Sequence, residues 1–316
     1  MTAIESWTLF GDFNLLWLIV AAAGGFFAAA IGANLSFGFT GIAILIGLGV
    51  AAATGNTGVI DYIAFGPIFG PHVAFAGAVA AVAYAAKTGA LQDTGKGKDL
   101  NTALAGLGRS DVLLVGSAFG MGGYVVKELI ALIPWFGGHT DAVALTVMLS
   151  AFVVRLLFGN AGIFNWISNL TAEHCWVPWQ QEPKQYFTVG ALSGLFGAAV
   201  AIIFALVVPQ LAGVAHILPF AFSAVCIIII SLGVTVPVTH HMTIIAGLAA
   251  VTFLPIVGNN ALLAIVIGTA FGVFSAWLAE QANRLLHSRG DTHIDPPATA
   301  IWITTVIVLT IGSLAG

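Results

Sequence analysis

Charge is scarce in this sequence: 9 Lys and Arg and 13 Asp and Glu occur among 316 residues, a net of −4 at neutral pH. Soluble domains carry about a quarter of their residues as charges, so this supply is too thin for a water-facing fold and leaves no basic surface for a nucleic acid. Cysteine is scarcer. Cys175 and Cys226 lie in separate segments, which supports neither a disulfide framework nor a metal cage and does not report a redox compartment. Walker A, Gly-x-Gly-x-x-Gly and EF-hand patterns are missing, as are Gly-x-Ser-x-Gly, His-Glu-x-x-His and any carboxylate pair at helical spacing inside an apolar run. Nucleotide motors, dinucleotide enzymes and hydrolases of the familiar kinds are thus unsupported, and the reading is a non-enzyme with no cofactor and no bound metal.

What is abundant is apolar. Hydrophobic residues make up 59 % of the chain and its mean hydropathy is +1.03, which predicts an all-α integral membrane protein of about ten transmembrane helices, with nine to eleven countable. Met1 to Phe13 hold Glu5 and Asp12 but no Lys or Arg, unlike a secretory signal, so the run from Leu15 to Ala33 reads as a retained first helix. The small-residue-rich, lysine-poor style points to a prokaryotic plasma membrane.

One apolar stretch recurs. Phe65-Gly66-Pro67-Ile68-Phe69-Gly70-Pro71-His72 matches Phe253-Leu254-Pro255-Ile256-Val257-Gly258-Asn259-Asn260 at four of eight positions. Phe37-Gly38-Phe39 likewise matches Phe220-Ala221-Phe222, Leu48-Gly49-Val50 matches Leu232-Gly233-Val234, and Asp99 corresponds loosely to Asp295, with the offset drifting from about 183 to about 196. Pro and Gly interrupt a helix, and freed backbone groups are tolerated in a bilayer only where they pack on protein or line a wet cavity. Transporters built from two repeats place their sites at such breaks.

Apolar runs near 15–33, 37–53, 59–69, 73–86 and 112–136 form a first set, and runs near 189–208, 217–238, 242–257, 261–278 and 300–314 a second. The division is a first transmembrane repeat over 1–136, a lone span (142–158) with a Trp-rich interfacial connector over 137–185, and a second repeat over 186–316. The third run, Val59 to Phe69, is about half the roughly twenty residues that a straight span needs, so the third helix of each repeat is expected to be broken or re-entrant. Lys87, Lys96, Lys98 and Arg109 gather in one loop and Arg284 and Arg289 in another, which places both on the cytoplasmic face and favours parallel repeats.

Polar residues within or beside the runs are the site candidates. Phe65, Pro67, Gly70 and His72 at one break, and Pro255, Gly258, Asn259 and Asn260 at the other, would enclose a path. Asp61 would bind a cation or carry a proton, with an interfacial helix cap as the plain alternative. His240-His241 could relay protons or donate to an anion; adjacent helical side chains point about 100° apart, so they would not chelate one ion, and a headgroup-level turn is the plain alternative. Lys127, Glu128 and Arg155 read as structural pairs, Lys127 or Arg155 with Glu128 or Asp141, while His139 and Asp141 read as a loop and an N-cap. His174-Cys175 is a weak metal signal and Asn169-Leu170-Thr171 a bare glycosylation pattern. Gly24, Gly25, Gly116, Gly120, Gly122, Gly123, Gly194 and Gly197 read as close helix packing.

The expected function is that of a permease or channel for a small neutral or monovalent solute, moving between the two repeats. Its partners would be membrane lipid and the solute or ion, with no nucleic acid; the Gly-rich faces also allow a homo-oligomer. The alternative is a non-transporting membrane subunit or scaffold, whose spans would be packed shut.

Overall fold

The computed structural model describes residues 8–10, 13–91, 97–168 and 176–316. His174-Cys175, the Asn169-Leu170-Thr171 pattern and Lys96 lie outside them. A short hairpin, β1 (Thr8–Phe10) and β2 (Phe13–Asn14), leads into ten α-helices among the described residues. These are α1 (Leu15–Ile31), α2 (Ala33–Thr54), α3 (Ala74–Lys87), α4 (Ser110–Ala131), α5 (Ala142–Phe158), α6 (Pro183–Val207), α7 (Ile217–Ser231), α8 (His240–Phe253), α9 (Ala261–Ala282) and α10 (Pro296–Ala315).

Local chemistry sets many of the ends. Asn14, Asp141, Asn260 and Asp295 each accept a backbone N–H in the first turn of α1, α5, α9 and α10, the N-cap role that short polar side chains fill best. Pro183 and Pro296 open α6 and α10, where a missing N–H costs nothing. Gly55, with φ of 74°, ends α2 in the left-handed conformation that a Cβ would oppose.

Five helical stretches, 33–54, 110–131, 183–207, 261–287 and 296–315, are long and apolar enough to cross a membrane, and five shorter apolar helices pack among them. Ile19, Leu114, Leu192, Ile203 and Leu262 face outward and are more than half exposed. A water-soluble bundle would turn such residues inward, so length, composition and this outer surface together suggest a membrane protein.

The packing partners of the first five helices recur in the last five. As α1 packs on α4, so α6 packs on α9; α3 lies on α1 and α4 as α8 lies on α6 and α9; α5 and α10 complete each set. Glycines make the seams. A Cβ on Gly25 would lie 2.2 Å from the Gly116 carbonyl oxygen, and one on Gly272 would lie 2.6 Å from the Gly194 Cα. Backbones approach that closely only where side chains are absent, which replaces the hydrophobic drive that lipid removes. Gly122, by contrast, has open space around it.

The two sets meet through α2 against α7 and α5 against α10. Gly38 abuts Ile228 while Gly41 abuts Ala221 and Val225, so α2 and α7 run antiparallel. Helices in corresponding positions therefore point opposite ways, and the expectation of parallel sets is overturned. The described loop residues 97–109 and 288–295 do share one face: Lys98 Nζ donates to the carbonyls of His287 (3.0 Å) and Ser288 (3.1 Å). They are not corresponding loops, since one precedes α4 and the other precedes α10. The run 142–158, expected to stand alone, is α5 and packs with α3 and α4.

Candidate functional site

Between α2 and α3 the chain has no α-helix, only a π-helical turn over Ile60–Ala64 and then turns to residue 73. Between α7 and α8, residues 232–239 are a turn and then irregular chain. These two irregular stretches occupy corresponding places, and their freed backbone groups find partners as a water-poor environment demands. Thr40 Oγ1 donates to the Phe69 carbonyl at 2.6 Å. The Gln180 amide clasps Val238 from both sides, Nε2 donating to its carbonyl (3.1 Å) and Oε1 accepting its N–H (3.0 Å). Trp179 Nε1 donates to the Val236 carbonyl at 2.9 Å. Part of the connector thus holds the second irregular stretch in place.

A cavity of about 120 Å³ opens where these stretches meet the seam between the sets. Both sets supply its walls at corresponding positions: Phe37 of α2 and Phe220 of α7, Phe75 of α3 with His240 and Ile244 of α8, Ala144 and Val147 of α5 with Ala298 and Ile301 of α10. Phe65, Trp176 and Trp179 add further aromatic surface. Phe37 meets Phe220 edge-on at 5.8 Å, Phe75 edge-on at 6.0 Å and the His240 ring at 4.8 Å. The polar groups are few: Asn34, His240, Asp141 and Asp295.

The two carboxylates are matched. Asp141 Oδ1 accepts the Ala144 N–H at 2.8 Å and Asp295 Oδ2 accepts the Ala298 N–H at 2.7 Å, each capping its helix and bordering the cavity. They come from opposite sides. The far end of α5 carries Arg155, whose Nε and Nη2 donate to the Thr292 hydroxyl and carbonyl at 2.7 Å each, beside Asp295 and away from Asp141. His293 donates Nε2–H to the other oxygen of Asp295 at 3.0 Å. Outside the helices, burial, reinforced by the neighbouring Arg155 charge and opposed by Asp291, holds the Lys98 pKa down to about 8.

Of the residues expected to form the path, Phe65 and His240 line the cavity and the others do not, while Asp141, read as an N-cap, lines it as well. Pro67 is buried against α1, its carbonyl oxygen 2.6 Å from where a Gly24 Cβ would stand. Gly70 packs on the His72 ring, and His72 is itself buried against Gly123 with its Nδ1 unpartnered. Asp61 is exposed and accepts from Thr57 Oγ1 at 2.6 Å; it caps no backbone N–H of the π-helical turn, which has no side-chain cap. Pro255, Gly258, Asn259 and Asn260 form an exposed turn after α8, not a counterpart of the break before α3. The reason is ordinary punctuation: Pro255 cannot continue α8, Gly258 and Asn259 take positive φ (66° and 61°), and Asn260 caps α9. His241 is buried with both ring nitrogens unpartnered, its ring 5.6 Å from and nearly perpendicular to His240, and it borders a second, smaller cleft beside Glu280. Arg155 pairs with Asp291 at 3.8 Å, not with Glu128 or Asp141, because those lie toward the other ends of their helices; Glu128 pairs with Lys127 at 3.0 Å. Among the described residues no group of three or more His, Cys, Asp or Glu could hold a metal ion.

Sequence reasoning missed Asp141 and Asp295 as a pair. A signal existed: His139-Thr140-Asp141-Ala142-Val143-Ala144 and His293-Ile294-Asp295-Pro296-Pro297-Ala298 share His-x-Asp-x-x-Ala at the entries to α5 and α10.

No curated protein and no solved structure matches the chain. A family model matches it twice, over residues 7–171 and again over residues 165–316, the two regions holding α1–α5 and α6–α10. That double match hints at a two-fold repeat, and together its two regions span nearly the whole chain, which belongs to the family of unknown function DUF7973.

Proposed function

We propose that this protein is a permease for a small neutral or monovalent solute, with ten membrane crossings in two inverted repeats and a path through the cavity between them. The observation that carries the reading is that α2/α7, α3/α8 and α5/α10 each contribute to one cavity, beside two interrupted backbone stretches. Inverted repeats with irregular segments at their interface are the plan by which rocking of one repeat exposes a fixed site to either side. The few polar groups argue against a heavily charged or polyhydroxylated solute. A prokaryotic plasma membrane is part of the proposal, on composition alone.

The test is access from each face. In a background with Cys175→Ser and Cys226→Ser, single cysteines at Phe37 and Phe220 are treated with a membrane-impermeant thiol reagent in vesicles of known orientation. The proposal expects both positions to be modified from both faces. Protection of both positions from either side would overturn it and favour the scaffold reading.

A further inference from the structure

We propose that the two repeats are latched together on one face by Arg155, Asp291 and Lys98, and that parting this latch is the step that opens the path to the cytoplasm. The opening role rests on the permease reading; the tie between the repeats does not.

Arg155 stands in the last turn of α5 and is fully buried, yet its charge and most of its donors serve the other repeat. Beyond its two bonds to Thr292, Nη2 lies 3.4 Å from the Leu286 carbonyl and Nε lies 3.8 Å from Asp291. The tie runs both ways. Asp291 accepts the Asn160 N–H at 2.6 Å, just past the end of α5, while Lys98 holds the His287 and Ser288 carbonyls from the loop before α4. Backbone bonds extend it: Asn165 and Ile167 donate to the carbonyls of Leu285 and Arg284, at 2.8 and 3.1 Å. Two glycines admit the close fit, since a Cβ on Gly290 would meet Arg155 Nη2 at 2.0 Å and one on Gly97 would meet the Asp291 carbonyl oxygen at 2.5 Å. A guanidinium is buried at high cost unless its donors and charge are answered, and here the second repeat supplies most of the answer. Such a contact holds an interface; an exposed ion pair would not.

The opposite face has no counterpart to this latch. When α5 and α10 are matched on His-x-Asp-x-x-Ala, Arg155 falls on Leu309, Asp291 on Gly137 and Thr292 on Gly138, so the positions that would repeat the tie are apolar or lack a side chain. The Thr140 and Thr310 hydroxyls toward that face have no partner. Inverted repeats exchange conformations across the membrane, and a tie present at one end alone favours the conformation in which the repeats meet at that end. Charge identifies the end. Lys127 apart, each Lys and Arg among the described residues belongs to the latch's face: Lys87 reaches the Leu157 carbonyl, Arg109 precedes α4, Lys184 stands in the first turn of α6, and Arg284 and Arg289 follow α9. By the positive-inside rule that face is cytoplasmic.

In the Cys175→Ser, Cys226→Ser background, the rate at which Phe37→Cys reacts with a membrane-impermeant thiol reagent is measured from each face, with and without the latch. Two variants part it. Arg155→Met removes its centre; Lys98→Met with Asp291→Asn leaves Arg155 and its Thr292 bonds in place and carries the test should Arg155→Met fail to fold. The expected result is a rise of about fivefold or more from the cytoplasmic face and none from the other. Unchanged rates, equal rises from both faces, or a rise from the opposite face alone would overturn the proposal. Spin labels at Ala105→Cys and Arg289→Cys, both exposed on the latch's face, read the tie without reference to a path. Their separation should gain a longer population in the variants, and an unchanged distribution would overturn the tie. Protection of Phe37→Cys from both faces in the parent would remove the path and the opening role with it, leaving the label separation to decide the tie.

Discussion

Replacing Gln180 by leucine removes the clasp on Val238 while nearly conserving side-chain volume. Gln180 and Val238 are both buried, so the Val238 N–H and carbonyl have no water to turn to. An unsatisfied buried backbone group costs about 1–3 kcal/mol, giving about 2–6 kcal/mol for the pair. The leucine recovers about 1–2 kcal/mol of apolar burial, and the net destabilisation is centred on about 2.5 kcal/mol. For a chain of this size 1 kcal/mol moves the melting point by about 2 °C, so thermal unfolding in detergent should begin about 5 °C earlier. Trp179→Phe is the comparator: it deletes one bond, to Val236, from an exposed indole, and should cost less than about 1 kcal/mol. A Gln180→Leu protein melting within about 1 °C of the parent would refute the reasoning, since it would mean that the irregular stretch holds itself.

Gly25→Ala drives a Cβ into the Gly116 carbonyl of α4 and should lower the yield of folded protein sharply on size-exclusion chromatography, whereas Gly49→Ala, with open space around it, should be neutral or stabilise by up to about 1 kcal/mol. Gly290→Ala places a methyl group 2.0 Å from Arg155 Nη2 and should cost about 1–3 kcal/mol in thermal unfolding; a Gly290→Ala, Arg155→Ala double variant should not add the two costs, because both act on one contact. In ¹³C-dimethylated protein, the lysine resonance lost in Lys98→Arg should titrate near pH 8 rather than near 10.5. Its folded value lies below the unfolded one, so the buried charge costs stability below about pH 8 and that cost fades as pH rises toward 10.5.

Membrane character was legible in the sequence because it is a bulk property: hydropathy and a shortage of charge do not depend on register. Helix positions followed from the same signal, with each of α1 to α10 overlapping an apolar run. The Phe37 and Phe220 match also held in space, since the two rings meet at the seam of α2 and α7. Glycine-based packing was readable for a similar reason, because a residue without a side chain in an apolar helix has few uses other than close approach.

What misled was a match between sequences that share punctuation rather than position. Phe65 to His72 and Phe253 to Asn260 agree in Phe, Pro, Ile and Gly, residues that any helix end in an apolar chain reuses, yet one stretch enters α3 and the other leaves α8. Accepting that match counted 59–69 as a span, shifted the first set by one run, left α5 without a counterpart, and paired two basic loops that do not correspond, which is why parallel repeats looked favoured. The pair that does correspond, Asp141 with Asp295, was hidden by its plain role. Each carboxylate caps a helix with one oxygen, and nothing in the sequence says that the two caps face one cavity. Only antiparallel packing of corresponding helices delivers both N-termini to the same space from opposite sides, so the chemistry of this site belongs to the topology as much as to the residues.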